Sequence, residues 1–281
     1  MSAGGAGQVP AGVRLPDLRF FPTSQVVLHE EHDPERVDRL VRRLQEEAVL
    51  RNPPLVAEVG DGRVVVLDGA NRVTALERLG APCVVAQVVP YQNPSVVLDR
   101  WHHLLSALPE GFLEELGERV PLQAARVPEA SRGMAAGELL AYVRVQDAVH
   151  AIPKPTGLVQ QAELLRRLVA AYRGRVAYHR VDSEDVAELA GRYGDAQALV
   201  AFARFEKSDI LELARNSARL PAGITRHVVP GRALRINLPL EVAFRPGTVE
   251  EKNGWLAAWV RERLREGRVR YYPEPTVLFD E

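Results

Sequence analysis

From Leu55 to Val89 the chain leaves few choices of fold. Two apolar runs, Leu55–Val59 and Arg63–Leu67, flank Asp61-Gly62 in the pattern of a hairpin. Asp68-Gly69 stops the second run. From about Ala70 to Leu79 the apolar residues Val73, Leu76 and Leu79 recur at helical spacing, and Gly80 is a natural stop. Cys83–Val89 reads as a further buried strand. Upstream, Val37, Leu40, Val41, Leu44 and Ala48 mark another helix, with Asp33 as its cap and Pro34 at its first position, where a missing N–H is harmless. Residues 16–90 therefore form one unit: strand, helix, hairpin, turn, helix, strand.

The second half predicts another α/β layer. Residues 106–133 are punctuated by Pro and Gly and read as a connector with a short helix. Glu138–Ile152 is strand-like, Val159–Tyr172 an amphipathic helix and Arg175–Val181 a strand. Ser183 is the expected cap of a helix ending near Gly194. Ala198–Phe205 is a strand, and Ser208 caps a short helix. Thr248 and Glu251 make a capping box for a helix through Leu264, stopped by Gly267. The expected organisation is a tail (1–12), a first domain (13–105), the connector (106–133) and a C-terminal α/β domain (134–281).

A length of 281 residues suits two domains or one large one, and 46% hydrophobic residues can supply the core. No apolar run approaches the ~20 residues that span a bilayer. Residues 1–12 lack the charged flank and apolar stretch of a signal peptide. Cys83 stands alone, which excludes a disulfide within the chain. The formal net charge is −1, without the basic excess of dedicated nucleic-acid domains. The expectation is a cytoplasmic protein with a small-molecule partner and no membrane or nucleic-acid partner.

Chemistry concentrates in three places. Asp68-Gly69-Ala70-Asn71-Arg72 joins a strand to a helix. Glycine there lets an anion approach the backbone, the free N–H groups point at it, and Arg72 offers a fork for phosphate oxygens. An ordinary turn with a surface arginine would look the same locally. Glu30, in Leu28-His-Glu-Glu-His-Asp33, can orient a hydroxyl and accept its proton. Glu30, Glu31 and Asp33 could equally just favour a helix N-terminus. Thr225-Arg226-His227 can converge on a carboxylate or phosphate, or merely start a strand with two exposed cations. Trp101-His102-His103 fits a pocket wall or a core tryptophan beside surface histidines.

The order Glu30, helix, Asn52-Pro53-Pro54-Leu55-Val56, Asp68-Gly-x-x-Arg72-x-x-Ala75, Leu79-Gly80 resembles the N-terminal domain of the ParB/sulfiredoxin superfamily over roughly residues 16–90. Sulfiredoxins carry a reactive cysteine directly after the glycine, where this chain has Ala70. Partitioning ParB proteins follow a turn with two arginines by a helix-turn-helix, and none is evident here. His29-Glu30, Asp68-Gly69-Ala70-Asn71-Arg72, Trp101 and Thr225-Arg226-His227, in that order, resemble the free L-serine kinases. Archaeal members usually have two histidines where Ala70-Asn71 stand. They also use an acidic residue for serine at the position that an ungapped alignment gives to Arg36, next to Glu35.

The resemblance implies an α/β (α+β) fold, with a ParB/sulfiredoxin-like domain followed by a second α/β domain. It implies phosphoryl transfer from ATP or ADP, with Mg²⁺, to the hydroxyl of L-serine. Glu30 would be the base, and Asp68, Gly69, Ala70, Asn71 and Arg72 would hold the nucleotide. Asp68 would reach the metal. Trp101, His102, Thr225, Arg226, His227 and Arg36 would line the serine site. The rival readings are a ParB-like nucleotide-binding regulator associated with DNA and a kinase of another small hydroxy amino acid.

Overall fold

A computed structural model describes residues 14–194 and 196–272. The expected tail over 1–12 lies outside the described residues, as does all but the start of the segment 270–281. The first half runs β1 (Asp17–Pro22), β2 (Val26–Leu28), α1 (Pro34–Glu47), β3 (Val49–Leu50), β4 (Leu55–Glu58), β5 (Val64–Asp68), α2 (Ala70–Arg78) and β6 (Cys83–Val88). Next come β7 (Val97–Arg100), β8 (His102–Leu105), α3 (Phe112–Arg119), β9 (Gln123–Ala125), α4 (Val127–Ala135), β10 (Leu139–Val145) and β11 (Ala148–Pro153). The chain continues through α5 (Leu158–Ala170), β12 (Tyr178–Val181), α6 (Val186–Tyr193), β13 (Ala198–Phe202) and α7 (Lys207–Arg215). The last elements are β14 (Thr225–Val228), β15 (Leu238–Pro239), α8 (Glu241–Phe244) and α9 (Val249–Arg265).

The first sheet has the order β1-β6-β4-β5-β2 and is mixed: β6 with β4 and β5 with β2 are parallel, the other pairs antiparallel. The second, β12-β8-β13-β10-β11-β9, is antiparallel throughout. The unbroken apolar runs of β4 and β5 follow from burial on both faces. Leu55, Ala57, Val65 and Leu67 face a core shared with Leu140, Leu165, Tyr172 and Phe202. Val56, Val64 and Val66 face a second core with Val37, Leu44, Val73 and Leu76.

The expected division between domains does not follow this packing. β8 pairs with β12 and β13 in the second sheet, while Leu238, Leu240, Val242 and Leu256 from the chain's end return to the core under the first. The Asn253 side chain fastens α9 to β1 by accepting from Phe20 N at 2.7 Å. The 106–133 segment is more than a connector: Phe112, Leu116 and Val120 are buried in the shared core, and β9 is the edge of the second sheet.

Three local expectations shift. Glu138–Ile152 is a hairpin, β10 and β11, turned at Gln146-Asp147 with Gln146 in the left-handed region (φ 54°), a turn without glycine to announce it. α6 is capped by Asp185, whose carboxylate accepts from Ala187 N and Glu188 N; Ser183 instead accepts from Asp185 N. α7 starts from Glu206, whose N–H donates to Asp209, two residues ahead of the expected Ser208 cap. The Thr248–Glu251 capping box holds as read.

The β5–α2 turn depends on Gly69. Its φ is +101°, and a Cβ there would lie 2.9 Å from Pro54 Cβ, an atom of a rigid ring. Gly69→Ala should cost roughly 1–3 kcal/mol, the scale for a side chain forced into a sparsely populated backbone region, read as a lower midpoint in denaturant unfolding.

Candidate active site

The parallel pairing of β2 with β5 sets the site. Leu28 is in register with Val66. Glu30 and Asp68 each follow two residues later, so both emerge at the carboxyl edge of neighbouring strands, about 5 Å apart in the pairing direction. Ligands of sheets with parallel strands bind at such edges.

Glu30 is gripped by the loop before β14. Its Oε1 accepts from Thr225 N at 2.8 Å and Thr225 Oγ1 at 2.5 Å, and its Oε2 accepts from Gly223 N at 3.1 Å. The backbone seals the contact: Leu220 N donates to His29 O, and Glu31 N to Leu220 O, both at 2.8 Å. Gly223 has φ +84° and lies against the Arg180 guanidinium. Glu31 turns away to Arg173, 3.3 Å distant.

His29 is buried behind Glu30. Its Nδ1 lies 2.6 Å from Val66 O and its Nε2 2.9 Å from Thr225 Oγ1. Both ring nitrogens are therefore taken by the protein. The His227 ring meets it edge-on at 5.4 Å, and Tyr91 Oη stands 2.8 Å from His227 Nε2. Burial lowers the pKa of His29, and burial together with the neighbouring His29 lowers His227 to about 3, so His227 is neutral at physiological pH.

At the turn, Gly69 is the N-cap of α2, and no side chain caps the helix, so its first N–H groups are not taken by a cap, as an anion site requires. Ala70 and Asn71 open the helix. Asn71 Oδ1 accepts from Asp33 N at 2.8 Å, tying the start of α1 to the start of α2. The Arg72 fork differs from the open one expected. Nη1 donates to Asn52 O and Pro53 O, both at 2.9 Å, and Nη2 to Asp68 Oδ2 at 3.0 Å. Arg232 joins Asp68 at the same oxygen. Burial raises the Asp68 pKa, but Arg72 and Arg232 outweigh it and hold it below the usual carboxylate range.

Thr225-Arg226-His227 does not converge. The triplet lies in β14, and alternate strand residues face opposite ways. Thr225 and His227 join the Glu30–His29 side. Arg226 stacks over Trp101, its guanidinium carbon 4.3 Å from the ring centroid, and pairs with Asp182 at 2.9 Å. Trp101 and Arg226 are thus brought together. Arg36 is exposed on the first turn of α1, 3.8 Å from Asp33.

His102 is not brought to this site. Its Nδ1 accepts from Phe202 N at 3.1 Å, and its Nε2 lies 3.3 Å from Glu184 and 3.2 Å from Arg100 Nε. Arg100 and Tyr142 also reach Glu184, at 2.7 and 2.8 Å. His103, not His102, turns toward the site loop, with Nε2 donating to Gly223 O at 3.0 Å. Tyr91, Asp182 and the Gly223 N–H carried no signal in the sequence, because each joins the site only through contacts distant along the chain.

The hydrogen from His102, with those from Tyr142 and Arg100, holds the Glu184 carboxyl down to about 2 from 4.5. A depressed carboxyl stabilises the fold above its unfolded pKa and loses that effect as pH falls through the folded one. Glu184→Gln should therefore be less stable than the parent above about pH 4.5, with the gap closing toward pH 2, followed by urea unfolding across that range.

No family model matches the chain. It is 25% identical to the ATP-dependent L-serine kinase SbnI of Staphylococcus aureus over 242 residues, 85% of this chain and 88% of that protein. It is 24% identical to the ADP-dependent L-serine kinase SerK of Thermococcus kodakarensis, covering 81% of this chain and 93% of the relative. A solved free serine kinase in complex with AMP superposes with a TM-score of 0.70 at 21% identity, over 84% of this chain and 99% of the other. C-terminally truncated SbnI gives 0.69 at 21%, over 88% and 96%. The mixed α/β fold is that of these kinases, and the resemblance read from the motifs extends over most of the chain.

Proposed function

We propose that this chain is a phosphotransferase that moves the terminal phosphoryl group of ATP or ADP to the hydroxyl of free L-serine. The observation that carries the reading is the shared edge: the carboxylate of Glu30 and the Asp68–Arg72 turn leave adjacent parallel strands in register. The relatives' names supply the acceptor, and they include both nucleotide donors.

In this reading the N–H groups at the start of α2 hold the donor phosphates, with Gly69 letting them approach. Arg72 fixes the turn by holding the Asn52 and Pro53 carbonyls and adds positive charge. Among the described residues no group of three or more His, Cys, Asp or Glu could cage a metal. Mg²⁺ takes few protein ligands and keeps several waters, so Asp68 would be the residue to hold it, directly or through water. Such an ion would neutralise charge on the phosphates.

Glu30 orients the serine hydroxyl and takes its proton. Oε1 already accepts two hydrogens, whereas Oε2 accepts one, which leaves Oε2 the better placed atom. Arg226 lies on the other face of β14 from Glu30, but it has N–H donors beyond the one given to Asp182. With Trp101 as the wall, it would take the carboxylate of a serine that reaches past the start of β14. Thr225 and His227 act from behind, on Glu30 and His29. Arg36, exposed on the first turn of α1, is a weaker contact for substrate. Catalysis is then mainly positioning and charge neutralisation. The product, O-phospho-L-serine, is an activated serine suited to cysteine or related amino-acid synthesis.

Glu30→Gln tests the assignment. It keeps the shape and removes the proton acceptor, so kcat should fall by roughly 10²–10⁴-fold while nucleotide affinity stays near that of the parent. Glu31→Gln loses only a half-exposed ion pair and should be mild. The measurement is coupled detection of O-phosphoserine with ATP and ADP side by side, with circular dichroism for folding. A fully active Glu30→Gln would remove the base from the proposal.

A further inference from the structure

The contacts behind Glu30 pose a problem of hydrogen counting. Val66 O is a carbonyl and can only accept, so the hydrogen on His29 Nδ1 belongs to that bond, at 2.6 Å. The ring is 3% exposed, and burial opposes a second proton on it. Nε2 is then an acceptor. Thr225 Oγ1 has one hydrogen and faces two acceptors, His29 Nε2 at 2.9 Å and Glu30 Oε1 at 2.5 Å. Both bonds cannot be made while Glu30 is ionised. The charged oxygen takes the hydrogen, and Nε2 waits without one.

We infer that Thr225 and His29 form a one-hydrogen switch behind Glu30, in which the Thr225 hydroxyl turns from Glu30 to His29 as Glu30 takes up the substrate's proton. The inference rests on the kinase reading of Glu30. The serine O–H bond breaks and its proton goes to Glu30 Oε2. The serine oxygen forms a bond to the terminal phosphorus, and the phosphoanhydride P–O bond breaks with its electron pair leaving on the nucleotide. Oε1, no longer charged, holds the Thr225 hydrogen less strongly and still keeps the N–H of Thr225. The hydrogen then swings to His29 Nε2, so no hydrogen-bonding group is stranded in the protonated state. His29 is a positioning residue: it touches no substrate, yet it gives the Thr225 hydroxyl a second acceptor once Glu30 holds the proton.

The surroundings leave the switch this freedom. His227 meets His29 edge-on from β14 and is held neutral, with Tyr91 behind it. Asp68 at the end of β5 and Lys207 of α7 act on His227 rather than on His29, and Glu30 is the charge that bears on His29 itself. Ionic competition for Thr225 therefore comes from Glu30 alone among these groups.

The switch predicts shifts of opposite sign in the acid limb of the kcat–pH profile. His29→Asn keeps a donor for Val66 O and removes the Nε2 acceptor, so protonated Glu30 is penalised and the limb moves to lower pH. Thr225→Val removes a donor from ionised Glu30 and moves the limb to higher pH. Each shift should be roughly 0.5–1 pH unit, the contribution of one net hydrogen bond. Thr225→Ser should keep the parent profile, and His29→Asn should add nothing in a Thr225→Val background. A merely structural role would lower kcat without moving the limb, and shifts of the same sign, or none, overturn the switch. Nitrogen-15 NMR of His29 in the parent is an arm independent of turnover. It should show hydrogen on Nδ1 and a bare Nε2 from pH 6 to 9; an imidazolium over that range overturns the switch. Absence of serine-dependent product from the parent would instead sink the kinase reading and the switch with it, whereas an imidazolium at His29 in an active parent would sink the switch alone.

Discussion

The carboxylate of Glu30 joins two stretches of chain 193 and 195 residues apart. Its partners are two backbone N–H groups and one hydroxyl, from Gly223 in the loop that leads into β14 and from Thr225, the first residue of that strand. A charged acceptor with several N–H partners is held more firmly than a neutral one. The grip does two things at once. It docks Leu220–Thr225 against the first sheet, and it fixes the carboxylate beside the β5–α2 turn. The base of the proposed reaction is thus also the clasp between the chain's two halves.

The rest of the fold serves that edge. β4 and β5 are buried on both faces, so the strand that ends in Asp68 has little freedom to move. Gly69 turns the chain sharply against Pro54, and Arg72 stitches the Asn52-Pro53 carbonyls to the same corner. On the far side, β14 pairs with β7, which sets Arg226 above Trp101. Helix α9 closes the core under the first sheet through Leu256 and is tied to β1 through Asn253. Remote parts of the chain therefore hold the site from opposite sides, and neither sheet alone contains it.

What could be read in advance was local. The turn at Asp68–Arg72, the Asp33 cap and the Thr248–Glu251 box depend on residues within a few positions of each other, and the structure has all three. The Gln146-Asp147 hairpin was hidden because the turn uses a left-handed glutamine where a glycine would have marked it. The triplet at 225–227 looks like one cluster along the sequence, but the alternation of a strand splits it. The order of His102 and His103 was open to the same error, since neighbours in β8 face opposite layers. Arg72 was legible as a cation at a turn, but its carbonyl partners belong to a segment about twenty residues upstream. Gly223, Tyr91 and Asp182 reach the site only through tertiary pairing, and nothing local marks them.

The central claim is that the hydroxyl oxygen of serine, activated at Glu30, attacks the terminal phosphorus of a nucleotide bound at the turn. Its most direct test is to supply L-serine carrying ¹⁸O in the hydroxyl, with ATP and Mg²⁺, and to weigh the phosphorylated product and its fragments by mass spectrometry. The account predicts O-phosphoserine that retains ¹⁸O in the bridge between carbon and phosphorus. Product lacking the label, or nucleotide consumed with no phosphorylated serine at all, would contradict it.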